Sequence, residues 1–244
     1  MPGKPWAATV LTLYPEAFPG VLGVSVLGRG LKDGLWALET VDIRGFARDK
    51  HRSVDGPPAG GGPGMVMRPD VLAEGLDQIE QKWSAETGAK PPVLVMGARG
   101  RRFSQVRAKE LAAGAGVVVV CGRFEGIDER FFEARDVEEV SVGDYVLAGG
   151  EAAAQIVIEA CVRLIPGVVT EASTQEESFE LGLLEYPQYT KPRTWEGREI
   201  PEVLRSGHHG DVDAWRRKQA EKVTKERRPD LWSNYKDQIE NDDV

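Results

Sequence analysis

The stretch from Val117 to Glu151 most constrains what this chain can fold into. Val117-Val118-Val119-Val120 is an unbroken β-branched run, a buried-strand signal, and it stops at Cys121-Gly122. A second β-rich stretch, Val137 to Val142, stops at Gly143-Asp144. Glycine at such strand ends lets backbone amides and carbonyls come close to a ligand. No Gly-x-Gly-x-x-Gly opens a helix and no Gly-Lys-Ser/Thr occurs, so neither a dinucleotide fold nor a phosphate loop is indicated. The turns are built for some other ligand.

Around this stretch, strands alternate with helices. Ala7 to Leu13 reads as an apolar first strand closed by Tyr14-Pro15, and Leu35 to Ile43 alternates like a half-buried strand. Residues 55–64, DGPPAGGGPG, are too rich in glycine and proline for regular structure and read as a loop. Pro69 to Lys82 has helical spacing, with Val71, Leu72, Gly75, Leu76 and Ile79 on one side and Pro69 suited to the start. Val93 to Met96 is a strand followed by the turn Gly97-Ala98-Arg99-Gly100. Ser104 caps a helix to Ala113, and Ala152 to Leu164 is an apolar helix ended by Pro166-Gly167. This alternation predicts an α/β domain with a mostly parallel sheet. Residues 170–178 read as a polar linker, and a long polar helix from about Asp211 to Arg227 belongs to a smaller, mainly helical domain. The expected division is 1–169, linker 170–178, and 179–244.

Composition excludes several function classes. The longest apolar runs fall far short of the ~18 residues of a membrane span, and Pro15, Glu16 and Pro19 interrupt the N-terminal stretch, so neither a membrane protein nor a signal peptide is expected. Cys121 and Cys161 sit in apolar contexts and are expected as reduced core residues, which suits the cytoplasm. The three histidines, His51, His208 and His209, make a zinc site an unpromising reading. A net charge of −8 argues against nonspecific nucleic-acid binding, yet it averages over two basic clusters. One runs from Arg44 to Arg52 and the other from Arg216-Arg217-Lys218 to Arg228. Such patches can hold phosphate on an otherwise acidic surface; the alternative is a solvated helix face.

Six motifs stand in order along the chain: HRSVDGPPAGGGPGM at 51–65, CGRFEGIDER at 121–130, SVGDYVLAGGE at 141–151, RLIPGV at 163–168, LLEYPQYTKP at 183–192 and IPEVLRSGHH at 200–209. In them the chain resembles the bacterial tRNA (guanine-N1)-methyltransferases of the SPOUT superfamily. The resemblance implies an α/β fold with a trefoil-knotted, mostly parallel sheet domain and a helical tRNA-binding domain. It implies methyl transfer from S-adenosylmethionine to N1 of the guanine beside the anticodon, guanine-37. It implies a homodimer with the active site at the subunit interface, and Mg²⁺ as an accessory ion. For the donor it implies Met96, Gly97 and Gly100 of the first loop. The second loop gives Gly122, Phe124, Glu125 and Gly126. The third gives Val142, Gly143, Asp144, Tyr145, Val146, Leu147, Gly149 and Gly150. For tRNA it implies His51, Asp55, Gly61 and Gly62; the basic residues Arg216, Arg217 and Lys218 join them.

Guanine chemistry fits two further residues. N1 carries a proton at neutral pH and becomes nucleophilic only on losing it, so a positioned base is needed. Charge then builds on O6, where a cation helps. The resemblance assigns the base to an aspartate just before Ser-Phe, whose place is taken here by Glu177, and the cation to an arginine just before Ile-Pro-Gly, matched here by Arg163. Glu177 is a departure, with Asp128 and Glu125 as fallback carboxylates. Ala59, Ala98 and Phe124 stand where the family pattern has Tyr, Pro and Tyr. Two other readings stay open: a SPOUT ribose 2′-O-methyltransferase, which needs no guanine-specific base, and a noncatalytic RNA-binding module.

Overall fold

A computed structural model describes residues 4–170, 177–180 and 182–242. The chain divides into two compact units, Met1–Thr170 and Glu171–Val244.

The first unit is built on a five-stranded sheet in the order β2-β1-β6-β5-β7. Its strands are β1 (Trp6–Thr12), β2 (Trp36–Asp42), β5 (Val93–Arg102), β6 (Gly116–Cys121) and β7 (Glu138–Ser141). Every neighbouring pair is parallel. The valine run forms the central strand because it can be buried on both sides. Val117, Val119 and Cys121 pack with helices α1 (Ser25–Lys32), α3 (Gln105–Ala112) and α5 (Glu151–Val162). Val118 and Val120 pack with α2 (Pro69–Thr87) and α4 (Glu129–Ala134). Parallel sheets need such cover on each face, since their crossovers place helices there. Cys121 and Cys161 are free and fully buried in the first of these layers.

The helical spacing read in the sequence matches the packing. The buried residues of α2 are Val71, Leu72, Gly75, Leu76 and Ile79. The helix runs beyond Lys82 to Thr87 and ends at Gly88, whose φ of 78° is left-handed. Ser104 caps α3 by accepting the Arg107 amide. Three expectations are corrected. The strand at Val93 does not end at Met96: it bulges over 97–100 and rejoins β7, with Val140 pairing first Met96 and then Arg101. The glycine-proline loop is not wholly irregular, because β3 (Asp55–Gly56) pairs antiparallel with β4 (Val66–Met67) and closes its base. Helices α1 and α4 were not foreseen; both are short, and their spacing gave no long periodic signal.

Among its described residues the second unit holds a hairpin, β8 (Thr194–Trp195) with β9 (Arg198–Glu199), and two α-helices, α6 (His209–Arg227) and α7 (Pro229–Asp242). Helix α7 was also missed from sequence. A small core of Leu183, Ala220 and Tyr235, helped by Tyr186 and Trp232, joins the segment around Leu183 to the two helices. Thr224 ties the segment entering the unit to α6: its hydroxyl accepts the Leu184 amide at 2.8 Å and donates to the Ala220 carbonyl at 2.7 Å. Most of the expected linker, residues 171–176, lies outside the described residues.

Candidate active site

The carboxyl ends of β5, β6 and β7 open into one cavity of about 370 Å³. Parallel sheets place ligands at this end of their strands. The bulge of β5 supplies Met96 and Gly97. The turn after β6 supplies Gly122, Phe124, Glu125 and Gly126. The segment after β7 supplies Val142, Gly143, Tyr145, Val146, Leu147, Gly149 and Gly150. Two residues expected with them, Gly100 and Asp144, are not in the lining. Gly100 instead packs on the backbone of Glu139 and Val140.

The second and third segments are joined directly. The Gly150 amide donates to the Gly122 carbonyl at 2.8 Å, and Arg123 and Gly149 form an isolated antiparallel bridge. A Cβ at Gly150 would press on the Cys121 and Gly122 backbone, and one at Gly149 would overlap the Arg123 side chain. Both glycines are thus required by close approach. Phe124 holds a left-handed φ of 59° with an exposed ring, backbone strain of a kind that gathers at functional turns. Tyr145, Val146 and Leu147 are also exposed, so the third segment offers apolar side chains at the cavity mouth.

Sequence reasoning missed several side chains of this wall, including Arg123, Phe132, Glu139 and Ser141. Glu139 is held by Arg99, which lies 3.6 Å from it and 3.0 Å from Glu129. Ser141 shapes the turn by donating to the Gly143 carbonyl at 3.0 Å. Arg123 stands within CGRFEGIDER, residues 121–130. Its signal was a charged residue between a buried strand and a glycine turn.

The expected tRNA-facing loop adjoins the cavity. Glu125 accepts the Met65 amide on its carboxylate at 2.8 Å, and its own amide donates to the Met65 carbonyl at 3.0 Å. The Glu125 carboxylate is therefore engaged with the loop. Met67 extends the contact through its amide to Gly126 and its carbonyl to Asp128. Asp55 is half-buried in β3, and His51, Gly61 and Gly62 are exposed farther along the loop. Asp49 braces the loop's start by accepting the His51 and Ser53 amides and the Ser53 hydroxyl.

The carboxylates divide sharply. Asp128 caps α4 and is gripped by Arg130 at 2.9 and 2.7 Å. That hydrogen-bonded fork, with the Arg130 amide behind it, lowers the carboxyl to about 2. The Asp128 carboxylate is therefore engaged at the start of α4. Glu177 is half-buried in a turn of the second unit, and its carbonyl accepts the Glu180 amide. Arg163 is half-buried at the C-cap of α5 in the first unit and does not line the cavity. Among the basic residues of α6, Arg216 stacks on Tyr186 at 4.9 Å. Arg217 reaches Glu221 at 3.2 Å and the Tyr235 hydroxyl at 3.3 Å. These two arginines are partly spent on the unit's own packing, while Lys218 is exposed.

Among the described residues no group of three or more His, Cys, Asp or Glu side chains is placed to hold a metal ion, so nothing in them supports the Mg²⁺ expectation. Among them, too, no helix is long and apolar enough to cross a membrane.

Comparison with known proteins agrees with this architecture. Residues 7–234 match the family model described as tRNA (Guanine-1)-methyltransferase TrmD. A protein of Rhodopseudomonas palustris (strain TIE-1) named tRNA (guanine-N(1)-)-methyltransferase is 62% identical over 229 residues, 93% of this chain and 90% of its own length. Relatives of the same name are 59% identical in Novosphingobium aromaticivorans (94% of this chain, 92% of the relative) and 56% identical in Zymomonas mobilis (96% and 92%). With a single family model spanning nearly all of it and relatives this close, the chain belongs to the tRNA (guanine-1)-methyltransferase family.

Proposed function

We propose that this protein transfers a methyl group from S-adenosylmethionine to N1 of guanine-37 in tRNA. The observation that carries the proposal is the meeting of three strand-end segments in one cavity, in a chain of this family. The cavity suits the donor. Its volume is in the range of roughly 300–1,000 Å³ usual for small-molecule sites. The glycine turns offer backbone groups for a purine edge, and Val142, Tyr145 and Leu147 offer apolar contact. When bound, S-adenosylmethionine supplies a methyl group activated by a positively charged sulfur. In our reading the residues of the three loops hold it, with Asp144 and Gly100 supporting the turns beside the lining.

The chain's own residues prepare the guanine. Glu177 takes the N1 proton, and Arg163 stabilises the charge that develops on O6. Glu177 carries one methylene more than the family aspartate, and a spacer one residue shorter after Gly167 compensates for it. His51, Asp55, Gly61 and Gly62 receive the anticodon region; Arg216, Arg217 and Lys218 contact phosphate. This loop's link to the cavity through Glu125 and Met65 supports the assignment.

Three finer features complete the reading. The first domain, residues 1–169, is a deep trefoil knot, supported by the strand order and by the return of the 142–150 segment beside Gly122. Residues 170–178 are a linker to a tRNA-binding domain, 179–244. Two copies pair so that the second domain of one completes the active site of the other. Support for pairing comes from exposed Val21, Val24 and Ile156, on neighbouring elements joined by the Gln155 amide to the Ala17 carbonyl. A tRNA substrate places the protein in the cytoplasm.

The test is a nucleoside assay by mass spectrometry. Unmodified tRNA with guanine beside the anticodon, incubated with donor, should yield 1-methylguanosine. Ribose-methylated guanosine instead would replace the proposal with 2′-O-methylation. Absence of donor binding in calorimetry would leave only an RNA-binding module.

A further inference from the structure

One charged residue of the first unit is buried far more deeply than any proposed catalytic group. Glu151 opens α5, and its side chain is only 6% exposed. A carboxylate so buried persists only with partners. Thr12, at the end of β1, donates to it at 2.8 Å. Arg123, in the turn after β6, approaches it at 2.9 Å, off the line of a hydrogen bond. The first turn of a helix also favours negative charge.

Arg123 is the other half of the device. Its guanidinium lies over the Tyr14 ring at 4.3 Å and donates to the Ala148 carbonyl at 3.3 Å. The side chain therefore leaves the 122–126 turn and fills the space under the 142–150 segment. Its backbone bridges Gly149 in the same place. One side chain thus touches the exit of β1, the third cavity segment and the start of α5. Its charge is compensated from beneath by Glu151, on the side away from solvent.

We propose that Glu151 is a positioning residue for the donor cavity. By holding Arg123 in place, it fixes the separation and tilt of the 122–126 and 142–150 segments. The proposal rests on the donor reading above. It predicts that Glu151 acts only through Arg123 and touches no ligand itself. Removing the carboxylate leaves a guanidinium with no countercharge beneath it, and that charge will turn toward water and pull the third segment with it. Removing both leaves an apolar contact with nothing to misplace.

The experiment is a double-mutant cycle on the full chain: Glu151→Gln, Arg123→Met, and the two together. Donor affinity is read by calorimetry and local opening by amide hydrogen exchange over 122–126 and 143–150. Glu151→Gln should weaken donor binding by about tenfold or more, through coupling of the size neighbouring buried groups show. It should also speed exchange in both segments while leaving that of β1 and β6 unchanged. The double variant should bind donor no more weakly than Glu151→Gln. A double variant clearly weaker than Glu151→Gln would make Arg123 a direct ligand and overturn the proposal. Native donor affinity and native exchange in Glu151→Gln would overturn it as well. If Glu151→Gln does not fold, Arg123→Met carries the test: exchange confined to the two segments supports the proposal, and unchanged exchange overturns it. Failure of the wild-type chain to bind donor would count against the function proposed above, while the exchange results would still decide this one.

Discussion

Gly150→Ala is the most informative single change, because its cost can be worked from geometry. The backbone at Gly150 is an ordinary right-handed conformation, so alanine brings no dihedral strain. The cost is steric. The added Cβ would stand 2.8 Å from Cys121 Cα and 3.0 Å from both the Gly122 nitrogen and Met96 Cβ. Carbon atoms rest at about 3.5 Å, so roughly 0.7 Å of relief is needed. The central strand is packed on both faces and cannot supply it, so the start of α5 and the Gly149-Gly150 turn must move outward. Overpacking of this kind costs about 1–3 kcal/mol. The Gly150 to Gly122 hydrogen bond adds about 1 kcal/mol if it breaks. Together they predict a fall in Tm of roughly 5–15 °C. The same shift displaces the cavity wall, and a misplacement near 1 Å costs about tenfold to a hundredfold in affinity or rate. Thermal melts and donor calorimetry read the two effects. Gly45→Ala, where the new methyl meets open space, is the control and should stay within about 0.5 kcal/mol of wild type. Native donor affinity in Gly150→Ala, despite a lowered Tm, would refute the link between this junction and the cavity.

Other outcomes follow from the same structure. Glu177→Gln should lower single-turnover methylation by at least about 10²-fold with tRNA binding intact, and Glu177→Asp should be slower than wild type although aspartate is the family residue; a near-native Gln variant removes Glu177 from the chemistry. Lys218→Ala should weaken tRNA binding and reduce its salt slope by about 1, with no change in Tm. Arg217→Ala should lower Tm as well, because it also loses Glu221 and Tyr235, and equal Tm effects for the two would contradict that distinction. Asp128→Asn tests the α4 cap. The folded carboxyl is depressed to about 2, so its stabilisation is fully present above the unfolded value of about 3.9 and is lost as pH falls toward 2. The wild-type advantage in urea melts should be constant from pH 5 to 8 and shrink below about pH 4; an advantage that grows on acidification would reverse the sign.

The layered domain was legible because its signals are periodic. The valine run announced a buried central strand, and five residues of α2 were named from spacing alone and are its buried face. The cavity was legible because glycine turns end its strands. What could not be read depends on contacts far apart in sequence. Nothing local says that β5 resumes after its bulge, since its return is paid for by pairing with Val140 and Ser141. Helix α4 has six residues, and its main burial is Phe131 against the sheet. Arg123 and Glu151 lie 28 positions apart by number, and each alone reads as a surface charge. The occupied state of the Glu125 carboxylate likewise depends on a loop 60 residues away.

The two buried cysteines make the chain its own clock for opening. Burial pushes the Cys161 thiol up to about 12 and, with the charge of Glu151 beside it, raises Cys121 well above its ordinary value. At pH 8 a thiol of that acidity is a thiolate in about one molecule in 10⁴, and neither sulfur is reached by solvent in the closed state. An alkylating reagent will therefore modify only molecules that have opened. Cys121 sits on the central strand and Cys161 on α5, so the ratio of the two labels distinguishes a helix lifting from its sheet from the sheet itself coming apart.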